Sequence, residues 1–196
     1  FKRFKDRYGH ETVAGYDGTT NRITSFVQGS GTTSGYYYEY YTSWNNSGRL
    51  QYVTLKRGST NLQRVEFTYY DSGESYGLVG DLKQAKVQQW NGSSWETLGT
   101  KYYRYYTSDT SPGFTHGLRF VVGPEAYARM VDAGLTPETA TDGQVAGYAD
   151  HYFEYDGSKR VTKENVRGGL LAYNYSYATS GLGDGYNNWK TQTTET

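Results

Sequence analysis

Aromatic and polar residues alternate in short bursts along this chain. Tyr38-Glu39-Tyr40, Phe67-Thr68-Tyr69, Tyr103-Arg104-Tyr105, Phe153-Glu154-Tyr155 and Tyr173-Asn174-Tyr175 each set two rings around one polar residue, and Ala14-Gly15-Tyr16 is a degenerate copy. Successive side chains of an extended strand point to opposite faces, so each burst predicts a strand with rings on one side and a polar group on the other. Turn residues follow: Asp17-Gly18, Asn45-Asn46-Ser47-Gly48, Asp71-Ser72-Gly73 and Asp156-Gly157. They supply the positive-φ or side-chain-capped positions that hairpins need. A second short strand comes next, as in Arg22-Ile23-Thr24, Arg49-Leu50-Gln51, Asp81-Leu82-Lys83, Leu118-Arg119-Phe120 and Arg160-Val161-Thr162. It closes in glycine-containing stretches such as Gln28-Gly29, Arg57-Gly58, Asn91-Gly92 and Gly168-Gly169. The uneven spacing of the units follows from the low cost of lengthening loops.

A lone hairpin is marginal in water. Stacked hairpins bury a continuous face. The pattern therefore predicts an all-β fold of stacked antiparallel β-hairpin repeats. Its core is expected at Tyr16, Tyr38, Tyr40, Phe67, Tyr69, Tyr103, Tyr105, Phe153, Tyr155, Tyr173 and Tyr175. Tyr40, Tyr69, Tyr105 and Tyr155 are expected mostly buried with satisfied hydroxyls. Glu39, Thr68, Arg104 and Glu154 are expected on the opposite, solvated face, with the opposite charges free to pair.

Residues 123–149 break the alternation. Pro124 suits a first helical position, Glu125 a first turn, and Gly134 the residue just past a helix end. Ala126, Tyr127, Met130, Val131 and Gly134 share one side. Thr141 and Gln144 have capping-box spacing ahead of Val145, Tyr148 and Ala149, with Thr136-Pro137 as an alternative start. The chain thus divides into hairpin repeats at 1–122, a helical hairpin insertion at 123–149, and further repeats at 150–196. A plug or lid over open sheet is the favoured role for the insertion, with a binding loop as the alternative.

Composition sharpens this picture. The 196 residues include 23 Tyr against 7 Phe and 4 Trp, with 25 Gly and 3 Pro. Mean hydropathy is −0.84, which would suggest disorder, but disordered chains lack aromatics. A tyrosine-built interior reconciles the two, because the phenol scores as polar yet carries a large apolar ring. Lys and Arg balance Asp and Glu at 20 each, which argues against nucleic acid or an anionic membrane as partner. With 0 Cys there is neither a disulfide framework nor a thiolate metal site. No apolar run approaches the roughly 18 residues of a membrane helix, and neither an initiating Met nor a signal peptide is present.

Candidate chemistry is sparse. His10, His116 and His151 stand apart, without zinc-helix spacing. Asp109, Asp142, Asp150, Asp156 and Asp184 sit in or beside turns, where capping the backbone is their ordinary role. Gly181–Asn188 reads faintly as a calcium loop but lacks alternating oxygen ligands and a closing Glu. No Gly-x-Ser-x-Gly elbow occurs, and Glu39, Glu66 and Glu154 read as a solvated row rather than a glycosidase pair. Neither enzymatic activity, a cofactor nor a metal is expected. Trp90 and Trp95 flank Asn91-Gly92-Ser93-Ser94 and suit either stacking on a sugar or pinning a hairpin.

The segments "FEYDGSKRVTKENVRGG" and "YEYYTSWNNSGRLQYVTLKRG" join an aromatic–polar–Tyr burst to a turn, a basic residue, a branched apolar residue and a strand ending in glycine. In this the chain resembles the YD-repeat (Rhs-repeat) family along nearly its whole length. It departs at Tyr40-Tyr41, which replaces Tyr-Asp, and after Tyr105, where the Asp is lost. The resemblance implies β-ribbons spiralling into a shell, in exported or surface-exposed bacterial proteins. Toxin systems enclose an effector in such a shell, and animal relatives are adhesion proteins. It implies an architectural role without catalytic residues; the aspartyl self-cleavage core of some members has no counterpart here. The expectation is a structural segment of an extracellular wall, stalk or fibre, with a carbohydrate-binding adhesin or a piece of toxin-enclosing shell as alternatives. Both ends read as half-units. Phe1–Val13 and Trp189–Thr196 are expected to pair with strands outside the chain, in the same parent polypeptide or in identical head-to-tail neighbours, with surface polysaccharide as a further possible partner.

Overall fold

The structure is a computed structural model that describes residues 2–29 and 33–177. It contains one mixed-length antiparallel meander. The strands are β1 (Arg3–Lys5), β2 (Glu11–Tyr16), β3 (Ile23–Gln28), β4 (Ser34–Tyr40), β5 (Leu50–Arg57) and β6 (Thr60–Tyr69). They continue as β7 (Leu82–Trp90), β8 (Trp95–Tyr105), β9 (Leu118–Val122), β10 (His151–Tyr155), β11 (Val161–Val166) and β12 (Leu171–Asn174). All 12 lie in one sheet in chain order, with β1 and β12 at its edges.

The fold class is as expected, and the hairpins repeat in register. Five of them bulge at the same place, where the last Tyr of a burst meets the branched residue of the next strand. The pairs are Tyr16↔Ile23, Tyr40↔Leu50, Tyr69↔Leu82, Tyr105↔Leu118 and Tyr155↔Val161. One residue on the second strand is left over at each bulge, which adds local twist.

Two helices, α1 (Pro124–Asp132) and α2 (Asp142–Ala146), sit between β9 and β10. Pro124 occupies the first turn of α1, and Gly134 takes φ +77° just beyond its end. Thr141 and Gln144 form the reciprocal capping box of α2. The apolar side of α1 is narrower than its spacing suggested: Ala126 and Met130 are buried, but Val131 is 50 % exposed.

The helices pack on one face of the sheet and create its fully buried core. That core joins Tyr70, Tyr102, Phe120 and Val122 to Ala126, Met130, Ala140, Val145 and Ala149. The burst tyrosines are therefore not the core. Tyr40, Tyr69, Tyr105 and Tyr155 are half-buried, and Tyr16 is exposed. The reason is that only the helices supply a second layer. Elsewhere both faces of the sheet meet solvent, and aromatics such as Phe4, Phe26 and Tyr36 stay about half exposed.

Two other expectations need correction. Glu39, Thr68, Arg104 and Glu154 do share one face by register, and Glu39 is exposed as expected, but the helices cover that face at β8 and β9, where Arg104 has 0 % exposure. Arg104 pairs with Asp142, and Glu154 with Lys163, rather than with each other. The N-terminal segment folds back on the chain itself, with Arg3↔Val13, Phe4↔Thr12 and Lys5↔Glu11 in register. The outer edge of β1, like that of β12 at the other end of the sheet, is without a strand partner among the described residues. The expected pairing of Trp189–Thr196 and the loop at Gly181–Asn188 lie outside the described residues.

Candidate functional site

The hairpin tips are the most regular chemistry in the molecule. Each begins after a burst Tyr and closes with the same two backbone bonds. The residue after the Tyr donates its N–H to the residue that precedes the second strand: Asp17 to Arg22, Tyr41 to Arg49, Tyr70 to Asp81, Tyr106 to Gly117 and Asp156 to Arg160. In return its carbonyl accepts the N–H of Asn21, Gly48, Gly80, His116 or Lys159. All five of those donors have positive φ, between 56° and 89°. That is where the Gly of Gly-Arg-Leu finds its purpose, since glycine enters this region without steric cost.

The burst tyrosines latch each tip to its neighbour. Tyr40 donates its hydroxyl to the carbonyl of Ile23, Tyr69 to Leu50, Tyr155 to Leu118 and Tyr177 to Val161, at 2.7–2.9 Å. Tyr177, not Tyr175, is the latch of the last unit. The burst that matters there is Tyr175-Ser176-Tyr177, two residues on from the one the alternation singled out. Tyr175 instead donates to Glu164, and Tyr173 pairs opposite Glu164 in β12. Tyr105 is held differently, with its backbone N–H on the carbonyl of Tyr76.

A second series runs the other way. The residue after the latch is itself tyrosine in the middle units, and it reaches forward. Tyr41 donates to the carbonyl of Phe67, Tyr70 to Tyr103 and Tyr106 to Phe153. Each ring meets the burst tyrosine of the next unit edge-on: Tyr41 with Tyr69, Tyr70 with Tyr105 and Tyr106 with Tyr155, at 6.1–6.2 Å. Such edge-to-face pairs add about 0.5–1.5 kcal/mol to area burial. In the first and last units the forward residue is Asp instead. Asp17 accepts from the N–H groups of Thr19 and Thr20, and Asp156 from those of Ser158 and Arg160. These backbone donors hold both carboxyls below the usual carboxylate range.

The basic residue of the motif has a structural partner too. Arg22 lies over the ring of Tyr40, Arg49 over Tyr69 and Arg160 over Tyr177, at 4.3–5.5 Å. The guanidiniums of Arg22 and Arg49 also fill the space where a Cβ would stand on Gly48 and Gly80 of the following tip. At the third tip the contact is polar instead: Asp81 Oδ1 and His116 Nδ1 of the next tip stand 2.8 Å apart. At the fourth, Phe114 of the same tip fills the space beside Gly117, and Lys159 of the next tip reaches over the Phe114 ring at 4.9 Å. Adjacent tips thus carry matched contacts: arginine against glycine at Arg22–Gly48 and Arg49–Gly80, carboxylate against imidazole at Asp81–His116, and lysine over a ring at Lys159–Phe114.

Burial raises the phenols of this network. Tyr155 is pushed up to about 12, chiefly by desolvation. Desolvation also moves Tyr70, Tyr105, Tyr106 and Tyr127 upward.

The helical insertion is fastened by charge. Arg104 donates from Nη1 to Asp142 at 2.6 Å, from Nε to the hydroxyl of Tyr102 at 3.0 Å, and from Nη2 to the carbonyls of Pro137 and Ala140. Its guanidinium lies 3.4 Å from the ring centroid of Tyr76. Arg119, the left-over residue of its bulge, pairs with the other oxygen of Asp142. Glu138 accepts from Tyr127 and from Gln84. No local signal marks Arg104 as buried; only its place in the row of burst polar residues singled it out.

Trp90 and Trp95 stand opposite each other across the β7–β8 hairpin, with ring centroids 5.2 Å apart. Arg64 lies over Trp95 at 4.5 Å. Their rings are used within the sheet, as hairpin-pinning residues would be. The histidines are each beside one carboxylate: His10 by Asp6, His116 by Asp81 and His151 by Glu164. Among the described residues no cluster of His, Asp and Glu could hold a metal. No helix among them is long and apolar enough to cross a membrane.

No family model matches the chain, and neither does any curated protein. Among solved structures it is similar to a porin-like protein from Bacteroides uniformis, at 10 % identity and TM-score 0.40, over 97 % of this chain and 73 % of that one. At that level the likeness carries no argument about architecture or activity.

Proposed function

We propose that this chain is an architectural segment of an exported YD-type β-ribbon, whose work is to build a wall, stalk or fibre. The observation that carries the reading is the tip latch. Each unit is fastened to the next by a tyrosine hydroxyl, and in the middle units also by a ring-on-ring contact and a matched contact between tips, a design that extends by repetition. The polar chemistry is spent on these contacts rather than gathered around a reacting centre. Growth by strand addition favours the β12 side, because β1 is only 3 residues long and carries Arg3 and Lys5. Short charged edges resist pairing. The test is cell fractionation of the source organism with an antibody to this chain, followed by negative-stain microscopy of the native parent. Surface or medium localisation with extended or shell-like particles is the expected result. A cytosolic protein of compact particles would overturn it.

A further inference from the structure

We propose that the apolar face of strands β2–β7 is a docking surface for the same face of a second copy of this chain. Two rows of side chains cross that face by register. Ala14, Phe26, Tyr36 and Leu55 form one, and Tyr38, Val53, Val65 and Val87 form the other. Neither row contains a charge. The charged residues that alternate with them, Glu39, Lys56, Arg64, Glu66 and Lys86, stand on the opposite face, the one the helices cover farther along the sheet. A sheet with one apolar face has to bury it against a second layer. Among the described residues no element is packed over these rows, and Phe26, Tyr36 and Val87 are 41–48 % exposed.

The dimensions of the face select the occupant. Strands β2–β7 are 6–10 residues long. At ~3.3 Å a residue and ~4.8 Å between strands they present roughly 700 Å². A stable interface buries about 800 Å² on each partner. A helix, ~10 Å wide, covers only a strip of such a face. A second sheet covers all of it at a separation of ~10 Å, and two sheets of the same twist stack with their strands about 30° apart. The sheet of a second copy has this extent and this twist. A two-fold pair sets the same patch against itself. The missing charge matters for that reason, because no like charges meet in the middle of the contact. Gln28, Arg57 and Gln89 fall at or beside strand ends, where an interface has its polar rim. One groove lies within the face, about 190 Å³ in volume, lined by Thr12, Ala14 and Phe26 with Lys2, Arg3 and Phe4. It is below the ~300 Å³ at which small-ligand sites begin, and it has room for a side chain from a facing layer.

The inference is independent of the architectural reading, since a single-layered wall would carry the same tip latches. Its test is sedimentation equilibrium of the full chain over a range of concentrations. A monomer–dimer equilibrium is expected. Tyr36→Lys and Val87→Lys each bring a charge into the contact from both copies, and each should weaken dimerisation about tenfold or more. Glu39→Lys, on the opposite face, should leave it unchanged. If Tyr36→Lys loses the native circular dichroism spectrum, Val87→Lys decides. A monomer at every concentration would overturn the proposal. So would a dimer indifferent to both face variants, which would place the contact at a strand edge. Flotation of the chain with phosphatidylcholine vesicles in place of dimerisation would assign the face to lipid and overturn it equally.

Discussion

Strands β3 and β8 belong to one sheet and live in different surroundings. In β8, residues Thr100, Tyr102 and Arg104 are buried beneath the helices. In β3 no residue is buried, and Phe26 is 46 % exposed. The N-terminal strands hold together through ladder bonds, latched tips and cross-strand side-chain contacts such as Arg3–Glu11 and Lys56 over Tyr37, whereas the β7–β10 region adds a packed second layer. The contrast teaches that tip chemistry sets register and order, while burial sets local stability. Amide exchange should therefore be slowest in β8 and β9 and fastest toward β1.

The largest expected perturbation is alkaline. An unfolded phenol ionises near 10. The folded phenols of Tyr70, Tyr105, Tyr106, Tyr127 and Tyr155 are held above that value by burial. Their contribution is complete below pH 10 and is lost as pH rises through the folded values. Circular dichroism against pH should show unfolding that sets in above pH 10, with Tyr155→Phe softening its slope. A flat profile to pH 12 would contradict the burial of the phenols.

Next is Arg104→Ala, which strips a buried cation from Asp142 and leaves two carbonyls unsatisfied. The expected loss is about 3–5 kcal/mol in urea unfolding. Exchange should quicken in α1 and α2 while β3–β5 keep their protection. If β3–β5 loosen equally, the two regions are one cooperative unit and the contrast fails.

Gly80→Ala tests the matched tip pairs. It places a Cβ at φ +89° and into the guanidinium of Arg49. A loss of about 1–2 kcal/mol is expected, partly relieved in the double variant with Arg49→Ala. Strictly additive effects would mean that the residues are not coupled. Tyr69→Phe removes the 2.9 Å bond to the carbonyl of Leu50 and should cost about 1 kcal/mol. The smallest effect is a gain. Lys159 holds φ +63°, so Lys159→Gly should stabilise by up to about 1 kcal/mol. A loss instead would show that the reach of Lys159 over Phe114 outweighs its backbone strain.

The legible parts of this molecule are those whose cause is local. Strand alternation, the helix ends at Pro124 and Gly134, and the capping box at Thr141 and Gln144 are each written within a few residues of where they act. Arg104 was misread because its partner Asp142 is 38 positions away, across the insertion. The half-buried state of the burst tyrosines depends on how many layers the sheet has, which alternation does not encode. Tyr177 was missed for a subtler reason: Tyr173, Tyr175 and Tyr177 all fit the same period, and only the register with β11 selects the last.

The two closing bonds of each tip are indifferent to what lies between them. They hold a span as short as Asp156 to Arg160 and one as long as Tyr70 to Asp81. Along one margin of the sheet, the frame is thus separated from its contents. A lineage could rewrite, lengthen or exchange the enclosed residues without disturbing strand order, provided the positive-φ position and its neighbour's counterpart change together. That margin is where variation between relatives should collect, and where a foreign peptide could be displayed with the least damage to the sheet that carries it.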